Sequence, residues 1–319
     1  MSEYREPDLR RLRTVGIGAR PGKVDRTVLA RAPGDDHSFH SFLQSLPQLL
    51  AADHLRQVAA AIAAAHRSGR AIVVLVGGSV IKTGLGPLLV EWITRGLVSH
   101  VAMNGAAAIH DFELASHGST SEDVERGLAD GTFGMAEETG AAMNRAAVEA
   151  RASGQGFGEG LGAALAQAGE LPGSDISVLL ACRTHRIPVT VHVAIGAEII
   201  HQHPAADGAA LGATSLLDFR RLAGSLPELH DGGVVLNLGS AVVLPEVFLK
   251  ALAVARNLGN GRPTGFVAAD FDMIRHYRPR VNVVERPTKT HGTGFLLTGH
   301  HELMLPLLAW AVRDALTPA

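Results

Sequence analysis

His110, Asp111 and Glu113 fall within four positions of one another in the stretch Asn104-Gly105-Ala106-Ala107-Ala108-Ile109-His110-Asp111-Phe112-Glu113. An imidazole exchanges a proton near neutral pH, and neighbouring carboxylates can orient it or hold a cationic substrate. The apolar run Ser99-His100-Val101-Ala102-Met103 before this stretch reads as a buried strand. The acids and imidazole then stand at its carboxyl end, behind a tight turn of small residues, where open α/β sheets bind their ligands. A buried strand end is a poor place for unpaired carboxylates. Lys82, beside another small-residue turn, is a solvated lysine, a phosphate contact or an imine-forming amine.

Further imidazoles and acids are spread along the chain. His117 follows the first group; His192, Glu198, His201 and His203 follow a later strand; Glu137 and Glu138 open a helix; His291, His300 and His301 come near the end. In an extended backbone His201 and His203 would share a face and could offer two nitrogens to a metal. A surface or hydrogen-bonded histidine is the simpler account of each, and no metal site is assigned. Cys182, in Val178-Leu179-Leu180-Ala181-Cys182, reads as a small hydrophobe of the core.

Elements that alternate along the chain would position these groups. Apolar strands are expected at 72–76, 98–103, 187–193, 233–238 and 265–269, with helices at 39–46, 53–68, 87–96, about 120–131, 136–151, 175–185, 216–222, from 242 to 255 and 300–315. The segment 153–162, with five glycines in ten positions, reads as a hinge or a ligand-binding loop. Continuous apolar strands are buried on both faces, which predicts a Rossmann-like α/β three-layer sandwich with a mostly parallel sheet. Residues 1–37 read as an extended arm and 38–319 as a single α/β domain. Three strand ends carry small residues: Gly77-Gly78-Ser79, Asn104-Gly105-Ala106-Ala107 and Gly239-Ser240-Ala241. Such turns let a bulky ligand approach the backbone and its amides, although neither a Gly-x-Gly-x-x-Gly fingerprint nor a Walker motif accompanies them.

The 319 residues are 46% hydrophobic and 19% charged, enough for a large core, and the formal net charge of −2 gives no electrostatic reason to expect nucleic acid. The charged start of the chain does not read as a signal peptide. No apolar run is long enough for a membrane helix, and one cysteine permits no internal disulfide. A cytoplasmic protein without membrane attachment is expected.

The segment Gly77-Gly78-Ser79-Val80-Ile81-Lys82-Thr83-Gly84-Leu85, then Leu97–Val101 and Asn104–Glu113, resembles the cofactor half of deoxyhypusine synthase. Ile187-Pro188-Val189, Gly239-Ser240-Ala241-Val242-Val243 and Leu305-Pro306-Leu307-Leu308 extend the resemblance over roughly residues 38–312. It implies NAD as cofactor, with contacts at Gly78, Ser79, Asn104, Gly105, Ala106, Gly239, Ser240 and Asp270. It also implies a homotetramer with sites between subunits and a small substrate of polyamine-like charge, while catalysis is expected from groups this chain has in place of the family's, His110, Asp111, Glu113 and Lys82. The family's imine-forming lysine aligns near Arg280, and an arginine stays protonated and cannot do that chemistry. Deoxyhypusine synthesis itself is therefore not expected; NAD-dependent oxidation or group transfer on an amine or other small substrate is. The competing readings are a metal-dependent hydrolase built on the His, Asp and Glu residues, and a non-catalytic binding scaffold.

Overall fold

Six strands form one sheet: β1 Ile72–Val76, β2 His100–Asn104, β3 Val189–His192, β4 Val234–Leu238, β5 Val267–Asp272 and β6 Thr293–Thr298. The computed structural model describes residues 4–317. The strand order is β3-β2-β1-β4-β5-β6 and every pair is parallel. β1 is continuous Ile-Val-Val-Leu-Val and buried throughout. Its alternate residues face opposite ways, as a pleated strand requires. Ile72, Val74 and Val76 join one core, with the helices Leu50–Arg67, Gly86–Thr94, Gly105–His117 and His301–Leu316; Val73 and Leu75 join the other, with Gly208–Ser225 and Val243–Leu258. Helices thus cover both faces, giving the three-layer α/β sandwich expected from the continuous apolar strands.

Helix Gly105–His117 follows β2 with no intervening loop. The side chain of Asn104 accepts the backbone N–H of Ala107 at 2.9 Å, capping the first turn. The stretch read as a tight turn of small residues leading to acids is therefore helical from Gly105, and its acids point in different directions.

The glycine-rich stretch differs in a similar way: Phe157–Gln167 is a helix. A Cβ at Gly158 would collide with the Val189 carbonyl, one at Gly160 would lie 2.6 Å from Ala150 Cβ, and one at Gly162 would lie 3.2 Å from the Leu179 carbonyl. Three neighbouring backbones press on this helix, and glycine is what fits. Lys82 ends a short helix, Gly78–Lys82, and is exposed. Residues 4–37 hold only single turns, at Leu9–Arg11, Ile17–Ala19 and Arg26–Val28, with nearly all side chains exposed. Among the described residues, no helix is long and apolar enough to cross a membrane.

Candidate active site at the strand ends

The order 3-2-1-4-5-6 reverses direction between β1 and β4, and ligands of doubly wound sheets bind at the carboxyl ends of the strands that flank this reversal. The loops there are Gly77-Gly78-Ser79 and Gly239-Ser240, two of the three small-residue turns. They touch backbone to backbone: a Cβ on Gly77 would collide with the carbonyl of Gly239. Gly78 is pressed against helix Gly105–His117, where a Cβ would lie 2.8 Å from that of Ala106. Gly239 has φ +66°, and a Cβ there would lie 2.7 Å from Ser79 Oγ and 2.8 Å from His301 Nε2. Ser79, Gly239 and His301 therefore converge on the point between β1 and β4.

His301 opens helix His301–Leu316 after β6 and is 1% exposed, yet neither ring nitrogen has a hydrogen-bond partner among the described residues. Burial lowers its pKa, so the neutral imidazole is favoured. Asp272 Oδ1 lies 3.9 Å from its Nε2, and His276 stands 4.0 Å from the other oxygen of that carboxylate. One strand over, Asn237 donates to Asp270 Oδ1 at 2.7 Å and to the Ser240 carbonyl at 3.0 Å, while its own Oδ1 is buried without a partner. Burial, aided by the charge of Asp272, pushes the Asp270 carboxyl up to about 7. Unpaired polar atoms in so buried a place are costly, and they cluster where a ligand with donors and acceptors would satisfy them. Sequence reading singles out neither Asn237 nor Asp272 and leaves His301 among the imidazoles near the end of the chain without a role. Strand β6, which brings His301 to the crevice, was not foreseen.

Helix Gly105–His117 divides the residues first singled out. His110 Nδ1 lies 2.8 Å from Thr120 Oγ1, which donates to Glu113 Oε2 at 2.5 Å; Thr139 donates to the other Glu113 oxygen at 3.1 Å. This half-buried triad is linked, and burial keeps the His110 imidazole below its ordinary pKa, with Glu113 opposing that shift and Lys82 reinforcing it. Asp111 faces the interior. Its carboxylate accepts from Ser177 Oγ at 2.8 Å and from the backbone N–H groups of Val178 and Leu179 at 2.8 and 3.0 Å. It thus anchors the start of helix Val178–His185, although burial still raises its pKa to about 6. The space above Gly105 is filled by Glu198, whose side chain a Cβ there would strike. Burial pushes the Glu198 carboxyl upward against the stabilising N–H of Ala194.

His201 and His203 do not form a pair. His201 Nδ1 lies 3.2 Å from Glu198, and His203 Nε2 lies 3.3 Å from Glu137. Among the described residues, no three His, Cys, Asp or Glu side chains gather as a metal ligand set. Cys182 is buried, and burial raises its thiol pKa, as suits a core residue. Arg280 pairs with Glu285 at 2.6 Å and lies over the Tyr277 ring.

A second polar chain runs beneath the strand ends. His192 Nε2 and His100 Nε2 each lie 3.0 Å from Thr190 Oγ1, and His100 Nδ1 lies 2.8 Å from Ser225 Oγ, which donates to the Arg221 carbonyl at 3.2 Å. One consistent set of protons satisfies every link: His192 donates to Thr190, Thr190 to His100, His100 to Ser225. Burial holds the pKa of His100 at about 3 and that of His192 at about 4, so both rings are neutral.

No family model matches the chain, and no curated protein matches it. Among solved structures it is similar to AgrE in a ternary complex with ornithine and NAD+, at 18% identity and a TM-score of 0.52, over 82% of this chain and 33% of that one. The chain thus spans about a third of the AgrE length. It is similar to a conserved LOR/SDH candidate protein from Methanococcus maripaludis S2, at 15% identity and a TM-score of 0.51, over 92% of this chain and 76% of that one. A deoxyhypusine synthase candidate from Entamoeba histolytica shares 10% identity at a TM-score of 0.48, over 89% of this chain and 97% of that one, a likeness too low to argue from. What the first two likenesses show is the fold.

Proposed function

We propose that this chain is an NAD-dependent enzyme of the deoxyhypusine synthase-like kind, oxidising or transferring a group from a small amine or other small substrate, and not a deoxyhypusine synthase. The observation that carries the reading is the convergence of Ser79, Gly239 and the unpartnered, buried His301 at the β1/β4 reversal point. The orphaned atoms of His301 and Asn237 suit a ligand that carries hydrogen-bond donors and acceptors, as a dinucleotide does. The AgrE structure, of the same fold, is a complex with NAD+, which supports the choice of cofactor.

Within this reading Ser79, Asn104, Ala106, Gly239, Ser240 and Asp270 border the cofactor, and Gly78 and Gly105, packed against Ala106 and Glu198, form the wall behind them. When bound, NAD supplies a hydride acceptor. Neutral His301, beside Asp272, takes a proton from the substrate and can pass it to that carboxylate's side of the crevice. His110, tied through Thr120 to Glu113, offers a second neutral base, with Lys82 nearby as the cationic group of that helix end. Asp111 holds the helix start at Ser177 and acts by positioning. Residues 38–319 are one cofactor-binding domain and residues 1–37 an arm. Val242, Met273, Ile274, Tyr277 and Leu303 leave exposed apolar surface around the strand ends, which supports a homotetramer with its sites at subunit contacts.

Titration of the full-length protein with NAD+ by calorimetry tests the reading. Saturable binding that Gly239→Val abolishes and His301→Asn weakens, with His301→Asn also stopping NADH formation on a panel of small amines and hydroxy compounds, is the expected result. Absence of NAD+ binding at millimolar concentration would overturn it.

A further inference from the structure

A cleft of about 520 Å³ opens at the opposite end of the sheet, against the amino end of β3. Its lining includes Arg183, Arg186, Arg221, Glu159, Ser225 and Thr190. Arg221 is paired with Glu159, the one acid of that lining. Arg183 stands in the last turn of helix Val178–His185, Arg186 is the residue that ends it, and both line the cleft. Both are exposed, and among the described residues neither guanidinium has a hydrogen-bonding or ion-pairing partner. In a chain of net charge −2 the cleft thus holds two uncompensated positive charges. Arg186 also occupies the residue after the helix in the left-handed conformation, φ +56°, a place usually given to glycine. The backbone gains nothing from an arginine there, whereas the cleft gains a guanidinium.

We infer that this cleft is a second ligand site, distinct from the strand-end crevice, and that it takes a small organic anion carrying a phosphate or carboxylate group. Planar guanidinium forks bind the oxygens of both groups in pairs. The cleft is larger than a lone inorganic anion needs and lies within the span of small-molecule pockets, roughly 300–1,000 Å³. Ser225 and Thr190 belong both to its wall and to the hydrogen-bonded chain that leads to His192. An occupant would therefore sit directly against that chain.

Calorimetric titration of the full-length protein with sodium pyrophosphate, and separately with sodium citrate, at one ionic strength tests the inference and separates phosphate from carboxylate chemistry. Saturable binding of at least one anion is expected. It should weaken by about tenfold or more in the double variant Arg183→Gln/Arg186→Gln, whose melting temperature should be unchanged because both side chains are exposed. Glu159→Gln, which frees Arg221, should tighten it. No saturable binding of either anion to the wild-type protein overturns the inference, as does an affinity that the double variant retains or that Glu159→Gln fails to raise. None of these outcomes depends on NAD.

Discussion

Thr190 Oγ1 stands between two buried imidazoles, 3.0 Å from His100 Nε2 and 3.0 Å from His192 Nε2. The hydroxyl accepts from one ring and donates to the other, so a single oxygen fixes the tautomers of both. Thr190→Val keeps the shape and removes the oxygen, leaving two ring nitrogens without partners in the core. Unsatisfied buried groups cost about 1–3 kcal/mol each, so urea denaturation should show Thr190→Val destabilised by about 2–4 kcal/mol. A loss below about 0.5 kcal/mol would mean that the chain of hydrogen bonds does not form.

The two glycine turns at the strand reversal should be intolerant of even one methyl group. Gly77→Ala places a carbon against the Gly239 carbonyl, backbone to backbone, with no flexible side chain to yield. A loss of more than about 3 kcal/mol, or failure to accumulate as folded protein, is expected. Gly212→Ala, inside helix Gly208–Ser225 with open space around it, should instead stabilise by about 0.5–1 kcal/mol. Thermal melts of the pair check both signs together.

Asp111 and His110 are adjacent in sequence and opposite in role. Asp111→Ala strands the hydroxyl of Ser177 and two helix-start N–H groups and should cost about 2–4 kcal/mol of stability. His110→Ala, half-buried with one hydroxyl partner, should cost about 1 kcal/mol or less. Calorimetric melting separates the two; equal destabilisation would contradict the inward orientation of Asp111.

The acid at the end of β5 links stability to pH. The Asp270 carboxyl ionises near 3.8 in the unfolded chain and near 7 in the fold, raised first by burial and then by Asp272. Between those values the folded protein holds a proton that the unfolded chain has lost. That stabilisation is complete below pH 3.8 and disappears as pH rises to about 7. Asp270→Asn does not titrate, so its stability relative to wild type should rise across this window, by up to about 4 kcal/mol at roughly 1.4 kcal/mol per pH unit. Urea midpoints of both proteins at pH 5 and pH 8 measure it; a pH-independent difference would show that Asp270 ionises normally.

The sheet was more legible in the sequence than the site. β1 was readable to the residue because a run of five β-branched and aliphatic side chains buried on both faces leaves no other assignment. β6 was missed because it is an edge strand: it opens on Thr293-Gly294 and exposes half its positions, so it lacks the apolar run that marked the others. The start of helix Gly105–His117 looked like a turn because Gly, Ala, Ala and Ala form no apolar stripe; the signal was the cap at Asn104. Helix Phe157–Gln167 was hidden by its glycines, whose reason lies in three other segments of the chain. The crevice at the strand reversal joins residues from 77 to 301, and only the strand order brings them together. His301 carried no local mark of importance; what marks it is burial without a partner.

The contact between Gly77 and Gly239 also bears on how this protein could change over time. Two backbones in contact form a seam that no substitution can widen, so the floor of the crevice is a fixed part. Variation in what the site accepts has to come from its rim, where Met273, Ile274, Tyr277 and Leu303 stand on segments that follow β5 and β6. Under the proposed function, a change confined to that rim would alter which substrate is accepted and leave the chemistry in place.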